Sequence, residues 1–144
     1  MKLFKRTRLS KKDLRQLIIN FSKTLGVKKI YFSDRAKHVN GTYQPCNQTI
    51  YLDTKLNNLE MMHTFFHELG HHHAVLNKKW TKYHFGNNGT LKPEAVFDIE
   101  NQIDQIGNKL WNKHVDTKQW GKYNYAYPKA QKNLMIKLFI NRQK

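Results

Sequence analysis

The chain has 144 residues, the length of a single domain, and a formal net charge of +16 at pH 7. A hydrophobic fraction of 39% is sufficient for a core, so the charge does not indicate a disordered chain. The single cysteine, Cys46, excludes an internal disulfide framework. No apolar run is long enough to cross a membrane, and the basic residues 1–8 are not followed by the apolar segment of a signal peptide. We therefore expect a cytoplasmic protein with one domain over residues 1–144.

Basic residues are concentrated at both ends of the chain. Residues 1–40 carry 12 basic and 2 acidic side chains, residues 41–104 carry 5 and 7, and residues 105–144 carry 9 and 1. Basic terminal segments are typical of proteins that bind nucleic acid or another polyanion. The same charge would also suit a solvated surface without a partner, so both interpretations stay open. No feature predicts a membrane partner.

The first predicted element is an amphipathic helix near the N-terminus. Ser10 is a candidate N-cap, and apolar side chains then recur at helical spacing as far as Leu25. Gly26 suits the position after the last helical residue, where a left-handed conformation is common. A strand is predicted directly after it, over residues 27–32.

A second strand is predicted over residues 48–52, where threonine, isoleucine and tyrosine are concentrated. Residues 45–47 are assigned to a loop before it. Asn40 and Gly41 form a pair that is typical of tight turns between strands. We therefore expect a small antiparallel sheet.

Two longer helices are predicted after residue 56. Asn57 can cap the first of them, with Glu60 at its third position, and this helix should extend to about Leu76. Pro93 fits the first turn of the second. The core-facing residues of that helix are predicted to be Ile99, Ile103, Ile106 and Leu110. A further basic helix is predicted after Pro128, and the fold class is therefore α+β.

The helix that follows Asn57 contains a pattern associated with zinc. His67-Glu68-Leu69-Gly70-His71 satisfies H-E-x-x-H. Because four residues make about one helical turn, His67 and His71 project side by side and can supply two corners of a tetrahedral Zn²⁺ site. Glu68 would lie beside the open position, where it can act as a base toward a water molecule. The alternative is a histidine-rich surface helix without metal.

A catalytic zinc site needs a third protein ligand. On the later helix, the pairs Glu94–Asp98 and Glu100–Asp104 both place a second acid one turn after the first. The second acid of such a pair can orient a ligand histidine through its ring N–H. We prefer the later pair, because its two acids flank the apolar face and should turn toward the core. The alternative is that Glu100 is an ordinary surface acid.

The two helices together resemble the gluzincin metallopeptidases, and within them most closely the ImmA/IrrE-type family of bacterial and phage metallopeptidases. The resemblance implies a minimal zincin-like domain, in which a small sheet packs on the active-site helix and a second helix supplies a ligand. It implies one Zn²⁺ per chain bound by His67, His71 and Glu100, with Glu68 as general base and Asp104 oriented toward a ligand histidine. Substrates in that family are often intracellular regulatory proteins.

The chain is also similar to the SprT-like proteases, which place a third histidine shortly after H-E-x-x-H. That resemblance implies His84 as the third ligand in place of Glu100. SprT-like proteases act on DNA-bound proteins, which would agree with the basic ends of the chain. The two ligand sets remain alternatives at the level of the sequence.

A transition-state stabiliser opposite the zinc is usually a histidine, tyrosine or arginine. The candidates in this chain are His84, His114, Tyr123 and Tyr125. The predicted function is zinc-dependent hydrolysis of peptide bonds in a protein or peptide substrate. One alternative is a DNA-associated protease of the SprT type. Another is a non-catalytic phage or DNA-associated structural protein, virion-associated in the phage case, that retains a zincin fold.

Overall fold

The computed structural model describes residues 2–34, 40–86 and 91–125, and the helix predicted after Pro128 lies outside these ranges. The elements, in chain order, are α1 (Lys11–Thr24), β1 (Lys29–Ser33), β2 (Gly41–Gln44), β3 (Thr49–Asp53), α2 (Asn58–Leu76), α3 (Thr81–Phe85), α4 (Pro93–His114) and α5 (Thr117–Trp120). The predicted α+β class is confirmed. In the described part of the chain, no helix combines the length and the apolar character needed to cross a membrane.

Both predicted N-caps are present in the structure. Ser10 Oγ accepts a hydrogen bond of 3.1 Å from the backbone N–H of Asp13 at the start of α1. Asn57 and Glu60 form a complete capping box, in which each side chain accepts a hydrogen bond from the backbone N–H of the other. Gly26 has a φ of +83°, which glycine adopts without a steric penalty. These local signals explain why the bounds of α1 and α2 agree with the prediction.

The sheet has three strands in the order β1-β3-β2. β2 and β3 are antiparallel, as predicted for the sheet as a whole, but β1 and β3 are parallel. The prediction of a wholly antiparallel sheet is therefore wrong for β1. The physical reason is that β2, which was not predicted, forms the hairpin with β3, so β1 adds to the far side of β3 and runs in the same direction.

Gly41 makes a close contact rather than the predicted tight turn. It is the first residue of β2, and a Cβ atom at this position would lie 2.7 Å from Thr64 Cγ2 and 2.8 Å from the carbonyl oxygen of Tyr51. The hairpin turn is instead formed by residues 45–48. The absence of a side chain at Gly41 therefore allows β2 to pack directly on α2.

Aromatic side chains form the centre of the core. Phe4, Phe21, Phe65 and Phe66 pack with ring centroids 5.2 to 6.5 Å apart. Phe4 belongs to the N-terminal segment, whose backbone forms a parallel bridge with Val115 after the end of α4. The N-terminal segment is therefore part of the folded core.

Two glycines allow α2 and α4 to cross closely. A Cβ atom on Gly70 would lie 2.5 Å from the carbonyl oxygen of Ile103, and one on Gly107 would lie 2.8 Å from the carbonyl oxygen of Phe66. Both distances are shorter than van der Waals contact, so neither position accepts a side chain without movement of a helix. This close approach brings acidic residues of α4 within reach of histidines of α2.

The buried face of α4 differs from the predicted apolar stripe. Its buried residues are Val96, Glu100, Ile103, Gly107 and Trp111. Of the predicted stripe, Ile103 is buried, whereas the other three residues are half-buried at its margin. The predicted stripe is offset from the buried face because two central positions of that face are a glutamate and a glycine. A search for apolar residues does not count either of them.

Candidate metal centre

His67 and His71 of α2 and Glu100 of α4 bring three metal-ligating side chains together. Glu100 Oε2 lies 3.1 Å from His67 Nε2 and 3.3 Å from His71 Nε2. One ligating atom from each residue lies within 4.8 Å of the other two, and the cluster can hold a metal ion. Within residues 2–34, 40–86 and 91–125, it is the one such group. We refer to these three residues as the ligand cluster.

The burial of α2 explains how the two histidines reach this position. Eleven of its nineteen residues are buried, because the sheet packs on one side of the helix and α4 on another. His67 is only 2% exposed and Glu68 only 4%. The alternative of a histidine-rich surface helix is therefore contradicted for the H-E-x-x-H segment. The spacing of four residues places His67 and His71 on the face of α2 that meets Glu100.

Asp104 and Tyr123 orient the ring of His67. His67 Nδ1 donates a hydrogen bond of 3.1 Å to Asp104 Oδ1, and the hydroxyl of Tyr123 donates one of 2.5 Å to the same oxygen. In the neutral ring, a hydrogen on Nδ1 leaves the lone pair on Nε2, which faces Glu100. Burial and the neighbouring Asp104 hold the pKa of Tyr123 well above its usual range, so its hydroxyl remains a donor.

The acidic neighbours of His67 favour its protonated form. Burial lowers the pKa of His67, but hydrogen bonds to Asp104 and Glu100 outweigh it and raise this pKa to about 10. Burial likewise raises the pKa of Glu100, but the neighbouring His71 and His67 outweigh it and hold this pKa well below its usual range. Metal binding through His67 Nε2 therefore requires loss of the proton that this nitrogen otherwise shares with Glu100.

Glu68 directly follows His67 in α2, and its side chain is buried. Burial raises the pKa of its carboxyl group, and the nearby His71 and His67 partly oppose that increase. A carboxylate whose pKa is shifted toward neutrality is suited to accept and return a proton during a reaction. The structure thus shows a buried carboxyl group beside the two histidines, and its role as a base stays a prediction.

His84 contacts the ligand cluster on its outer side. His84 Nε2 lies 3.1 Å from His71 Nδ1, whereas the other ring nitrogen of His71 faces Glu100. His84 is absent from the group of converging ligand atoms in the described part of the chain. The geometry therefore favours Glu100 over His84 as the third ligand. The alternative acidic pair, Glu94 and Asp98, is exposed.

His114 is not close to the ligand cluster. It lies fourteen residues after Glu100 on α4, which corresponds to about 21 Å along the helix axis. Its ring packs on Phe21 with a centroid distance of 4.8 Å. The prediction of His114 as a transition-state stabiliser is therefore wrong.

The two tyrosine candidates do lie beside the ligand cluster. The hydroxyl of Tyr123 is engaged with Asp104. The ring of Tyr125 stacks on that of His67, with centroids 4.2 Å apart and an interplanar angle of 18°. Both tyrosines therefore adjoin His67, Tyr123 through Asp104 and Tyr125 through its ring.

Tyr83 and His63 make further contacts around the site. The hydroxyl of Tyr83 donates a hydrogen bond to Glu100 Oε1. His63 stacks on Trp111 at 4.6 Å and accepts a hydrogen bond of 3.2 Å from the backbone N–H of Asn124, which holds the tyrosine-bearing segment against α2. The signal for Tyr83 was its position next to His84, but no periodic pattern marks it.

Comparison of the chain with protein-family models, with curated proteins and with solved structures finds no match. The functional interpretation therefore depends on the geometry and chemistry of the ligand cluster and its neighbours.

Proposed function

We propose that the protein is a zinc-dependent metallopeptidase of the gluzincin type, in which His67, His71 and Glu100 bind one Zn²⁺. The observation that carries this proposal is the spacing of the ligand atoms, 3.1 and 3.3 Å. Ligand atoms of a tetrahedral site with bonds of about 2.0–2.1 Å lie roughly 3.3 Å from one another. Two imidazole nitrogens and one carboxylate oxygen also form the donor set of catalytic zinc sites that keep a fourth position for water.

The neighbouring residues support hydrolysis rather than a purely structural metal. A bound zinc ion would lower the pKa of a water molecule to about 7 and polarise a peptide carbonyl group. Glu68 accepts the proton of the attacking water and transfers it to the leaving amine, and burial raises its pKa in the direction this return step needs. Asp104 keeps the hydrogen on His67 Nδ1 and so preserves the orientation of that ring. The resemblance to the ImmA/IrrE-type family favours a regulatory protein as substrate.

Removal of the metal is expected to stop peptide hydrolysis, and one equivalent of Zn²⁺ per chain should restore it. The assay uses a peptide library from a bacterial proteome, with new termini identified by mass spectrometry. The chelator is 1,10-phenanthroline, and its non-chelating 1,7 isomer is the control. Hydrolysis that persists in the metal-free protein would contradict the proposal.

A second candidate function, binding of nucleic acid, is favoured by a contact between the basic N-terminal segment and the residues at the end of α4. The backbone N–H of Phe4 donates to the carbonyl oxygen of His114 at 3.1 Å, and Phe4 pairs with Val115. Burial, followed by the charges of Lys113 and Lys2, lowers the pKa of His114. Basic segments that are distant in the sequence therefore meet in one region, which supports a DNA-associated protease.

We define the basic surface as the exposed lysines and arginines of residues 2–8 and 113–118: Lys2, Lys5, Arg6, Arg8, Lys113 and Lys118. Replacement of Lys5, Arg6 and Arg8 by glutamine should weaken binding to a 25-base-pair DNA duplex. If all three contact phosphates, the slope of log affinity against log salt should become shallower by about 2.7. Fluorescence anisotropy at several salt concentrations measures both quantities.

The matched control for the basic surface removes the same charge elsewhere, by replacement of Lys28, Lys29 and Lys82 with glutamine. This control should change the salt dependence much less. Substitution is preferable to truncation because Phe4 is fully buried, with 0% exposure. Equal effects of the two triple variants would indicate that overall charge, rather than the basic surface, determines binding.

A further inference from the structure

Helix α3 contacts the ligand cluster through two neighbouring side chains. The hydroxyl of Tyr83 donates to Glu100 Oε1, and His84 Nε2 lies 3.1 Å from His71 Nδ1. Both side chains are half-buried, and the rings of His84 and His71 meet edge to face at a centroid distance of 5.4 Å. One short helix therefore reaches two of the three members of the cluster, on the sides that face away from its centre.

The backbone determines which ring nitrogen of His84 carries a hydrogen. The carbonyl oxygen of Trp80 can only accept, and it lies 3.2 Å from His84 Nδ1, which must therefore donate. His84 Nε2 is then the acceptor in the neutral ring, and it receives the hydrogen of His71 Nδ1. In the neutral ring of His71 the lone pair then remains on Nε2, the nitrogen that lies 3.3 Å from Glu100 Oε2 and that would bind a metal.

Tyr83 has a corresponding effect on Glu100. Its hydroxyl engages Oε1, while Oε2 is the oxygen that faces the Nε2 atoms of both His67 and His71. The two oxygens of the carboxylate thus have different partners before a metal binds. Oε2 is directed to the centre of the cluster, and Oε1 is held by a neutral donor outside it.

The turn between α2 and α3 fixes the position of these contacts. Lys78 and Trp80 both adopt left-handed backbone conformations, with φ values of 56° and 52°. Such conformations are uncommon for residues other than glycine. They reverse the direction of the chain after α2, so that Tyr83 and His84 contact the ligand cluster.

From these contacts we infer that α3 is a positioning element of the metal centre. His84 selects the tautomer of His71 that binds a metal, and Tyr83 holds Glu100 with one oxygen directed to the metal. Neither residue is a ligand. This inference rests on the proposed zinc centre and extends it. The family resemblances gave Tyr83 no role and gave His84 only the role of an alternative ligand.

Zinc affinity, measured by competition with a chromophoric chelator, tests the role of His84. His84→Leu removes the acceptor for His71 and is expected to lower the affinity about 10- to 100-fold. The stoichiometry at saturation should remain one zinc per chain, because all three ligands are retained. His84→Gln should recover most of the affinity, since its side-chain oxygen can accept the hydrogen of His71 Nδ1.

Tyr83→Phe removes only the hydroxyl group and provides the second variant. It is expected to lower zinc affinity about 10-fold and to change the visible absorption of the Co²⁺-substituted protein, because the ligation of Glu100 changes. Lys82→Ala, at an exposed position of the same helix, is the matched control and should retain both the affinity and the spectrum. Thermal unfolding of each metal-free variant identifies any that fail to fold.

Three results would overturn the inference. One is a zinc affinity that is unchanged in both His84→Leu and Tyr83→Phe. Another is equal affinity loss in His84→Gln and His84→Leu, because the acceptor would then be irrelevant. The third is loss of zinc at saturation in His84→Leu, which would make His84 a ligand. By contrast, a wild-type protein that binds no zinc would refute the proposed function itself, together with the role of α3.

Discussion

Glu68→Gln is expected to retain one zinc per chain and to hydrolyse peptides at least 100-fold more slowly than the wild type. A general base typically contributes a factor of about 10² to 10⁴ to the rate. Glutamine has nearly the same size as glutamate but cannot accept the proton of the attacking water. The metal should remain because Glu68 is outside the ligand cluster. The rate of formation of new peptide termini and the metal content of the same sample measure both effects.

Glu60→Gln is the matched control for this prediction. It makes the same chemical change on the same helix at an exposed position, and glutamine also satisfies a capping box. The rate of this variant should be close to that of the wild type. An unchanged rate in Glu68→Gln would show that this carboxylate is not the base. Loss of zinc in Glu68→Gln would instead show that it contributes to metal binding.

Gly70→Ala is expected to destabilise the metal-free protein by about 1–3 kcal/mol, the usual cost of an added group in a close-packed interior. A loss of stability would be informative, because helix propensity alone favours alanine over glycine in a helix interior by about 1 kcal/mol. The added Cβ would lie 2.5 Å from the carbonyl oxygen of Ile103, so α2 and α4 must separate. Separation would also move Glu100 away from the histidines and weaken zinc binding.

Chemical denaturation of the metal-free protein measures the change in unfolding free energy, and chelator competition measures the change in zinc affinity. Gln105→Ala is the control, because Gln105 is exposed on α4 and alanine favours the helix there. That variant should be at least as stable as the wild type. If Gly70→Ala were also as stable as the wild type, the two helices would not be in the close contact described above.

The sequence predicted those features of the structure that depend on residues a few positions apart. The N-caps at Ser10 and Asn57 involve groups three residues apart, and so they were visible in the sequence. The side-by-side arrangement of His67 and His71 follows from the helical repeat alone. Glu100 was selected because it adjoined an apolar stripe, and the structure does bury it with only 7% exposure.

The remaining features depend on contacts between distant parts of the chain. The parallel pairing of β1 with β3 follows from the presence of β2 between them in the sequence, and β2 carries little strand pattern of its own. The contacts of Tyr83 and His84 depend on the left-handed residues at the end of α2. His114 shows a different limit, because its residue type made it a candidate and residue type does not report how far a side chain lies from the ligand cluster.

The metal content of tag-free protein tests the central claim most directly. Wild type, Glu100→Ala and Glu94→Ala are each equilibrated with zinc, freed of excess metal and analysed by elemental mass spectrometry. Glu94 is exposed on the same helix, so its variant is the matched control. The proposed centre predicts about one zinc per chain in the wild type and in Glu94→Ala, and much less in Glu100→Ala. No stoichiometric zinc in the wild type, or full retention in Glu100→Ala, would contradict the proposed metal centre.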